Sequence, residues 1–199
     1  VSAVGTGGRK EPRERLTYGS VVEGLLRHGL QGQVPPGLRA RLQRIGVDVE
    51  RPLLPAYPLP VWLHCLWAII EELYPGQPPE QAFRALGART TEGYSHTLVG
   101  RAIGVLTRML GPRRTVLRIP QLLASTDNWS RVEVLERGPC HFELWHNAAL
   151  GTPGYLEGVL EALLREAGAK EPRARALELG EAHTLYELRW GDGLTRAPG

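Results

Sequence analysis

Around Asn128 the spacing of apolar residues changes from a helical period to strict alternation. A chain with that switch has to pack helices against a sheet, because each period buries one face and each face needs a partner. Ser130 to Glu136 alternates, with Val132 and Val134 on one side, and Gly138-Pro139 supplies a turn. Cys140 to His146 alternates in the same way, with Cys140, Phe142, Leu144 and His146 on one face. Gly154 to Ala167 carries Leu156, Val159, Leu160, Leu163 and Leu164 at helical spacing, and Gly168 caps it. Ala174 to Leu179 and Thr184 to Trp190 read as two more strands joined at Gly180-Glu181. The prediction is an α+β fold, with N-terminal helices packed on a four-stranded antiparallel sheet in the order helices, then ββαββ.

The helical half has clear punctuation. Tyr18 to Leu30 begins the fold with Val21, Val22, Leu25 and Leu26. Pro35-Pro36 opens a helix through Leu38, Leu42 and Ile45 that Gly46 ends. A proline-bearing link, Val47 to Leu59, leads to Val61 to Tyr74, which is apolar almost all round and so predicts a buried helix. Pro79 starts another helix with Ala82, Phe83 and Leu86. The longest helical pattern runs from Thr90 to Leu110, with Tyr94, Leu98, Ile103, Leu106 and Leu110 on one apolar face. Gly111-Pro112 ends it, and Arg113 to Ala124 forms one more short helix with Leu117, Ile119, Leu122 and Leu123 inward. On the long helix Gly93, Thr97, Gly100 and Gly104 form a stripe of small residues. Such a stripe lets another helix, or a ligand, approach the backbone, and close helix contact is the favoured reading.

With 199 residues, the chain predicts one α+β domain over 17–192, mainly helical over 17–125 and ββαββ over 126–192. Residues 1–16, Gly-rich and then charged, read as a mobile tail, and 193–199 as a short C-terminal tail. A hydrophobic content of 42% with 23% charged residues excludes a disordered or collagen-like chain. No apolar run approaches the ~18–20 residues of a membrane span. Lys+Arg is 24 against Asp+Glu 21, a net +3. Arg9, Lys10, Arg13 and Arg15 against Glu11 and Glu14 account for most of that excess, so the remainder is near neutral and points away from nucleic acid. Cys65 and Cys140 lack any metal or redox spacing, and the start lacks a secretory pattern, which predicts reduced thiols in the cytoplasm.

Catalytic motifs are missing. There is no G-x-S-x-G elbow and no Walker A loop, and Gly5-Thr6-Gly7-Gly8 follows no strand. Neighbours such as His64-Cys65 point about 100° apart on a helix, which argues against a nucleophilic pair. The six histidines show neither H-x-x-x-H nor H-x-H. Cys140 and His146 share a face but stand roughly 20 Å apart along a strand, so they cannot share an ion. Arg101, Arg108, Arg113, Arg114 and Arg118 cluster around the end of the long helix, where Asp127, Glu133, Glu136 and Glu143 predict a salt-bridged face. His146 is the most pointed single residue. Alternation puts it beside Phe142 and Leu144, either as a hydrogen-bonded histidine at the core edge or as a polar group at the mouth of an apolar pocket.

Several pieces in order carry a resemblance. They are Val21-Val22-Glu23-Gly24-Leu25-Leu26, Gly46-Val47-Asp48, Tyr57-Pro58 with Trp62, and Tyr74-Pro75-Gly76. They continue with Ala85-Leu86-Gly87, Tyr94 to Arg101, Leu110-Gly111-Pro112-Arg113 and Glu136-Arg137-Gly138-Pro139. Asn147, the Gly154-Tyr155-Leu156-Glu157-Gly158 block, Gly168-Ala169, and Tyr186 with Trp190 complete the set. In this order the chain resembles the Myxococcales-restricted paralogous family of unknown function, about 200 residues long. More distantly, the last eighty or so residues resemble the closing half of vinyl-reductase-type ligand-binding domains, a plan shared with haem–nitric-oxide-binding domains and TRAPP subunits. That resemblance implies helices on a four-stranded sheet, with a small apolar ligand or a protein as partner. A haem-binding member would need a proximal histidine on the long helix and a Tyr-x-Ser-x-Arg set on a following strand. Here the helix has only His96, early, with Gly100 and Gly104 where the ligand belongs, and the strands lack the set.

The expected function is therefore a non-catalytic binding module for a small apolar ligand or a protein partner. The alternative is an enzyme or accessory factor in small-molecule metabolism using the same cavity. The candidate ligand-binding residues are His146, Phe142, Leu144, Tyr94, Gly100 and Gly104, with no cofactor and no metal expected. A homodimer is expected through the long helix or an exposed apolar helix face.

Overall fold

The computed structural model of the protein describes residues 14–180 and 182–191. Strand β1 (Leu16–Tyr18) leads into α1 (Gly19–Glu23), which widens into a π-helical turn over Gly24–Gly29. Then come α2 (Pro36–Ile45), β2 (Ala56–Pro58), α3 (Leu59–Leu73), α4 (Pro79–Tyr94), α5 (Leu98–Val116) and α6 (Ile119–Leu123). The remainder is β3 (Val132–Gly138), β4 (His141–His146), α7 (Tyr155–Glu166), β5 (Arg173–Leu179) and β6 (Thr184–Arg189). The last four strands form one antiparallel sheet in the order β3-β4-β6-β5. This is the predicted α+β architecture, and the strand ends fall within two residues of those read from alternation.

Apolar side chains gather in two clusters. The helical one centres on Leu25, Leu38, Leu42, Leu66, Ile69, Phe83 and Leu86, all fully buried. The second lies between the sheet and α7, where Phe142, Leu144 and Leu188 meet Leu160 and Leu164. Helix α4 joins the two, gripped on both sides by backbone-close contacts. A Cβ at Gly87 would lie 2.1 Å from the Tyr155 carbonyl oxygen of α7. On the other side a Cβ at Gly93 would lie 2.1 Å from the Gly24 carbonyl oxygen and 2.5 Å from the Gly29 nitrogen, both in the π-helical turn.

Three expectations need correction. Residues 90–110 are not one helix: α4 stops at Tyr94, and α5 starts anew with Thr97 as its cap, Oγ1 accepting from the Gly100 N–H at 3.1 Å. The small-residue stripe is thus divided between two helices. Leu98 is 80% exposed and Leu106 is 40% exposed, so the predicted inward face is in part outward. Residues 113–124 are not one helix either. Gly111, at φ 73°, breaks α5, the helix resumes to Val116, and α6 begins at Ile119, leaving Leu117 exposed.

Two short strands escaped the pattern reading. β1 and β2 pair antiparallel, Leu16 opposite Pro58. Of the predicted N-terminal tail, residues 1–13 lie outside the described residues, but 14–16 are tied to the fold. The Arg15 carbonyl accepts from the Leu59 N–H at 2.8 Å, and the Leu16 N–H donates to Asn128 Oδ1 at 2.8 Å. The predicted C-terminal tail, 193–199, lies outside the described residues.

Candidate functional site

A cavity of about 150 Å³ opens where the two clusters meet. Helix α3 contributes Trp62 and Leu66, α4 Thr90 and Tyr94, α5 Gly100, Ile103 and Gly104, and α7 Tyr155, Leu156 and Val159. Strand β4 adds His146, and the segment between α6 and β3 adds Asp127 and Trp129. The lining surface is mostly apolar, and among the described residues no lysine or arginine lines it.

Local chemistry places the polar members. Asp127 closes an Asx-type turn: its Oδ1 accepts from the N–H groups of Trp129 at 3.0 Å and Ser130 at 2.7 Å, and its Oδ2 from Ser130 Oγ at 2.7 Å. That turn holds the Trp129 indole edge-on to the His146 ring, with centroids 5.7 Å apart. His146 Nδ1 lies 3.2 Å from the Ala148 N–H and 3.3 Å from its carbonyl. Burial holds the His146 pKa below its ordinary value, which keeps the imidazole neutral. A second group is fully paired. Trp62 donates to the Tyr155 hydroxyl, which donates to Thr90 Oγ1 at 3.1 Å, which in turn donates to the Leu86 carbonyl at 2.9 Å. By contrast, Trp129 Nε1 and Tyr94 Oη are buried with no hydrogen-bond partner among the described residues.

Of the six residues expected from sequence, Tyr94, Gly100, Gly104 and His146 border this cavity. Phe142 and Leu144 do not. Both are fully buried between the sheet and α7, because the cavity reaches only the end of β4, where His146 stands. Trp129, Asp127, Trp62 and Tyr155 were missed. The available signal was Asp127-Asn128-Trp129-Ser130, a turn sequence that fixes a large aromatic between a helix and a strand.

Other candidates disperse. Cys65 is fully buried, its thiol pushed up to about 12 by desolvation, so it is an inert core residue. Among the described residues no group of three or more His, Cys, Asp or Glu could hold a metal ion, and no helix is long and apolar enough to cross a membrane. The arginine cluster is partly paired. Arg113 makes a two-pronged contact with Glu136 at 2.7 and 2.8 Å, and Arg108 reaches Glu166 at 2.9 Å.

With this geometry in view, the chain is similar to solved H-NOX structures. One, from S. oneidensis in the Fe(II)NO ligation state, aligns with a TM-score of 0.67 at 12% identity, over 88% of this chain and 99% of that one. Another, an oxygen-binding H-NOX domain related to soluble guanylate cyclases, aligns at 0.61 and 12%, over 92% and 99%. A further solved structure, concerned with modulating haem redox potential through protein-induced porphyrin distortion, aligns at 0.58 and 13%, over 87% and 99%. At such identity the likeness shows a shared fold.

The residues here do not fit haem. α5 offers the cavity Gly100, Ile103 and Gly104, and no side chain fits at Gly100 unless the backbone moves, since a Cβ would lie 1.8 Å from the Tyr94 carbonyl oxygen. The cavity lining includes Asp127 and Glu166, and among the described residues no lysine or arginine lines it to receive haem propionates. The volume of about 150 Å³ also falls below the ~300–1,000 Å³ of sites for drug-sized ligands. No curated protein matches the chain. Over residues 15–191, nearly the whole described structure, the chain matches and belongs to the family described as protein of unknown function, DUF2378.

Proposed function

We propose that this protein is a small-ligand-binding domain, a sensor or carrier module that takes an apolar molecule into the cavity between the helical core and the α7–sheet layer. The observation that carries this reading is the cavity itself: about 150 Å³, with a mostly apolar surface, where two well-packed clusters meet. An apolar cavity of this size accepts a molecule on the scale of benzene or xenon. Tyr94, Gly100, Gly104 and His146 would contact such a ligand, together with Trp129 and Tyr155. The test is a benzene titration followed by the methyl resonances of Ile103, Leu156 and Val159. Saturable shifts confined to these residues are expected, and their absence overturns the reading. The two free cysteines, one fully buried and one half-buried, support a cytoplasmic location.

A second reading, a homodimer, rests on the outer face of α5. Leu98, Ala102, Val105 and Met109 recur there at coiled-coil spacing and are exposed, flanked by Val99 and Leu106. An antiparallel two-fold pairing sets Leu98 opposite Met109 and Ala102 opposite Val105. Each Arg101 then meets Leu106 of the second copy rather than another arginine. Sedimentation velocity should show a dimer that Val105→Glu converts to monomer. A monomeric wild-type protein at micromolar concentration overturns this second reading.

A further inference from the structure

The cavity holds two kinds of polar group, and the difference between them says what it binds. Trp62 and Tyr155 face the same space, yet their donors are used up in the chain that ends on the Leu86 carbonyl. Trp129 is only 6% exposed, and its Nε1 has no partner, nor does the buried Tyr94 hydroxyl. An indole N–H can only donate, and a phenol can donate. Buried donors are nearly always paired, so two unpaired donors on residues that line one apolar cavity call for an acceptor that the described residues do not supply. The nearby carboxylate of Asp127 cannot serve, because its oxygens are taken by its own turn. Asp127 and Glu166 also bring carboxylates to the cavity; Arg108 already pairs with Glu166, and among the described residues no lysine or arginine lines the cavity, which disfavours burying an anion there.

We propose that the cavity selects a neutral, mostly apolar small molecule carrying a hydrogen-bond acceptor, such as a ketone, ester or ether oxygen, and that Trp129 Nε1–H and Tyr94 Oη–H recognise that acceptor. This rests on the cavity being a ligand site, and it adds the chemical class and the two residues that set it. His146 Nδ1 is engaged by the Ala148 backbone. Apolar contact with Ile103, Leu156 and Val159 supplies size selection.

Two probes of nearly the same shape test it on the full chain: cyclohexanone and its hydrocarbon isostere methylenecyclohexane. Affinities come from the cavity methyl shifts, and the Trp129 indole resonance is identified by its loss in Trp129→Phe. Tyr94→Phe and Trp129→Phe should each weaken cyclohexanone by about fivefold, the worth of one neutral hydrogen bond, and change methylenecyclohexane by less than about twofold. The Trp129 Nε1–H resonance should move with the ketone and not with the alkene. Cyclohexanecarboxylate should not bind. Equal responses of both probes to both substitutions, as when ordered water already pairs the donors, overturn the proposal, and so does tight binding of the carboxylate. If Trp129→Phe fails to fold, Tyr94→Phe, which removes a single oxygen atom, and the wild-type indole shift still decide. If neither neutral probe moves the cavity methyls, it is the ligand-site reading that fails.

Discussion

Helices α4 and α5 follow one another in the chain, both carry interior glycines, and they are held in opposite ways. On α4 the glycines are where other backbones touch it: Gly87 against Tyr155 of α7 and Gly93 against the π-helical turn. On α5 Gly100 abuts only the Tyr94–Ser95 backbone of the junction just before it and Gly104 meets side chains alone, first the Glu166 carboxylate, while the outer face leaves Leu98 80% and Met109 79% exposed. α4 is a strut between the two cores, whereas α5 is a wall with the cavity on one side and an uncovered apolar face on the other. The lesson is that a stripe of small residues encodes closeness, and only the partner decides whether closeness means a clamp or a cavity.

The largest effect should follow from breaking the strut. Gly87→Ala puts a methyl 2.1 Å from the Tyr155 carbonyl and 3.0 Å from the Val159 nitrogen, both backbone atoms of α7 that cannot swing aside. We expect a loss of about 3 kcal/mol, the upper part of the overpacking range. Thermal melting would show it as a fall of roughly 6–12 °C. A melt unchanged from wild type would show that α4 and α7 can part freely.

Gly100→Ala should cost less, about 2 kcal/mol. Its methyl meets the Tyr94 carbonyl, but that atom belongs to the α4–α5 junction, and α5 can shift into the cavity or outward. Chemical denaturation measures the loss, and a ligand-site signature accompanies it: benzene affinity should fall with stability, because the cavity wall has moved.

Smaller again is the effect of pH. The folded-state pKa of His146 is held below its ordinary value by burial, so the folded protein binds fewer protons there than the unfolded chain. Stability is therefore full above the ordinary histidine pKa, near ~6.5, and declines as pH falls below it toward the depressed folded value. His146→Gln should flatten that slope between pH 7 and 5, as followed by urea denaturation. A slope unchanged by the substitution would mean that another group is responsible.

Much of this was legible in the sequence. Alternation located all four sheet strands, because a half-buried strand writes its burial into every second residue. Pro35-Pro36 and Gly46 marked α2 because each fits only an end of a helix. The α4–α5 break was not seen because Tyr94 and Leu98 keep the helical spacing across it. The local signal was Thr97 ahead of an apolar run, an N-cap residue lying inside the pattern. Nor could periodicity tell that Leu98 and Met109 face outward, since spacing gives the side of a helix and says nothing of what covers it. His146 was placed at the cavity because it ends its strand, and Trp129 was overlooked because a loop residue has no period to betray its direction.

The smallest effect, and the sharpest contrast with Gly87, belongs to Gly104→Ala. Its methyl would lie 2.6 Å from Glu166 Oε1, the far end of a side chain that can rotate. Moving it disturbs the Arg108–Glu166 pair, whose side chains are 58% and 20% exposed, and a pair so placed contributes ~0.2–1 kcal/mol. Against this, replacing glycine by alanine in a helix interior gains about 0.8–1 kcal/mol. The two nearly cancel, so the stability change should stay within ~0.5 kcal/mol, in either direction, by urea denaturation. The same chemical change, a single methyl on a helix glycine, then spans about 3 kcal/mol between Gly87 and Gly104. A cost at Gly104 equal to that at Gly87 would show that α5 is clamped as α4 is, and that the wall of the cavity is not free to adjust to a ligand.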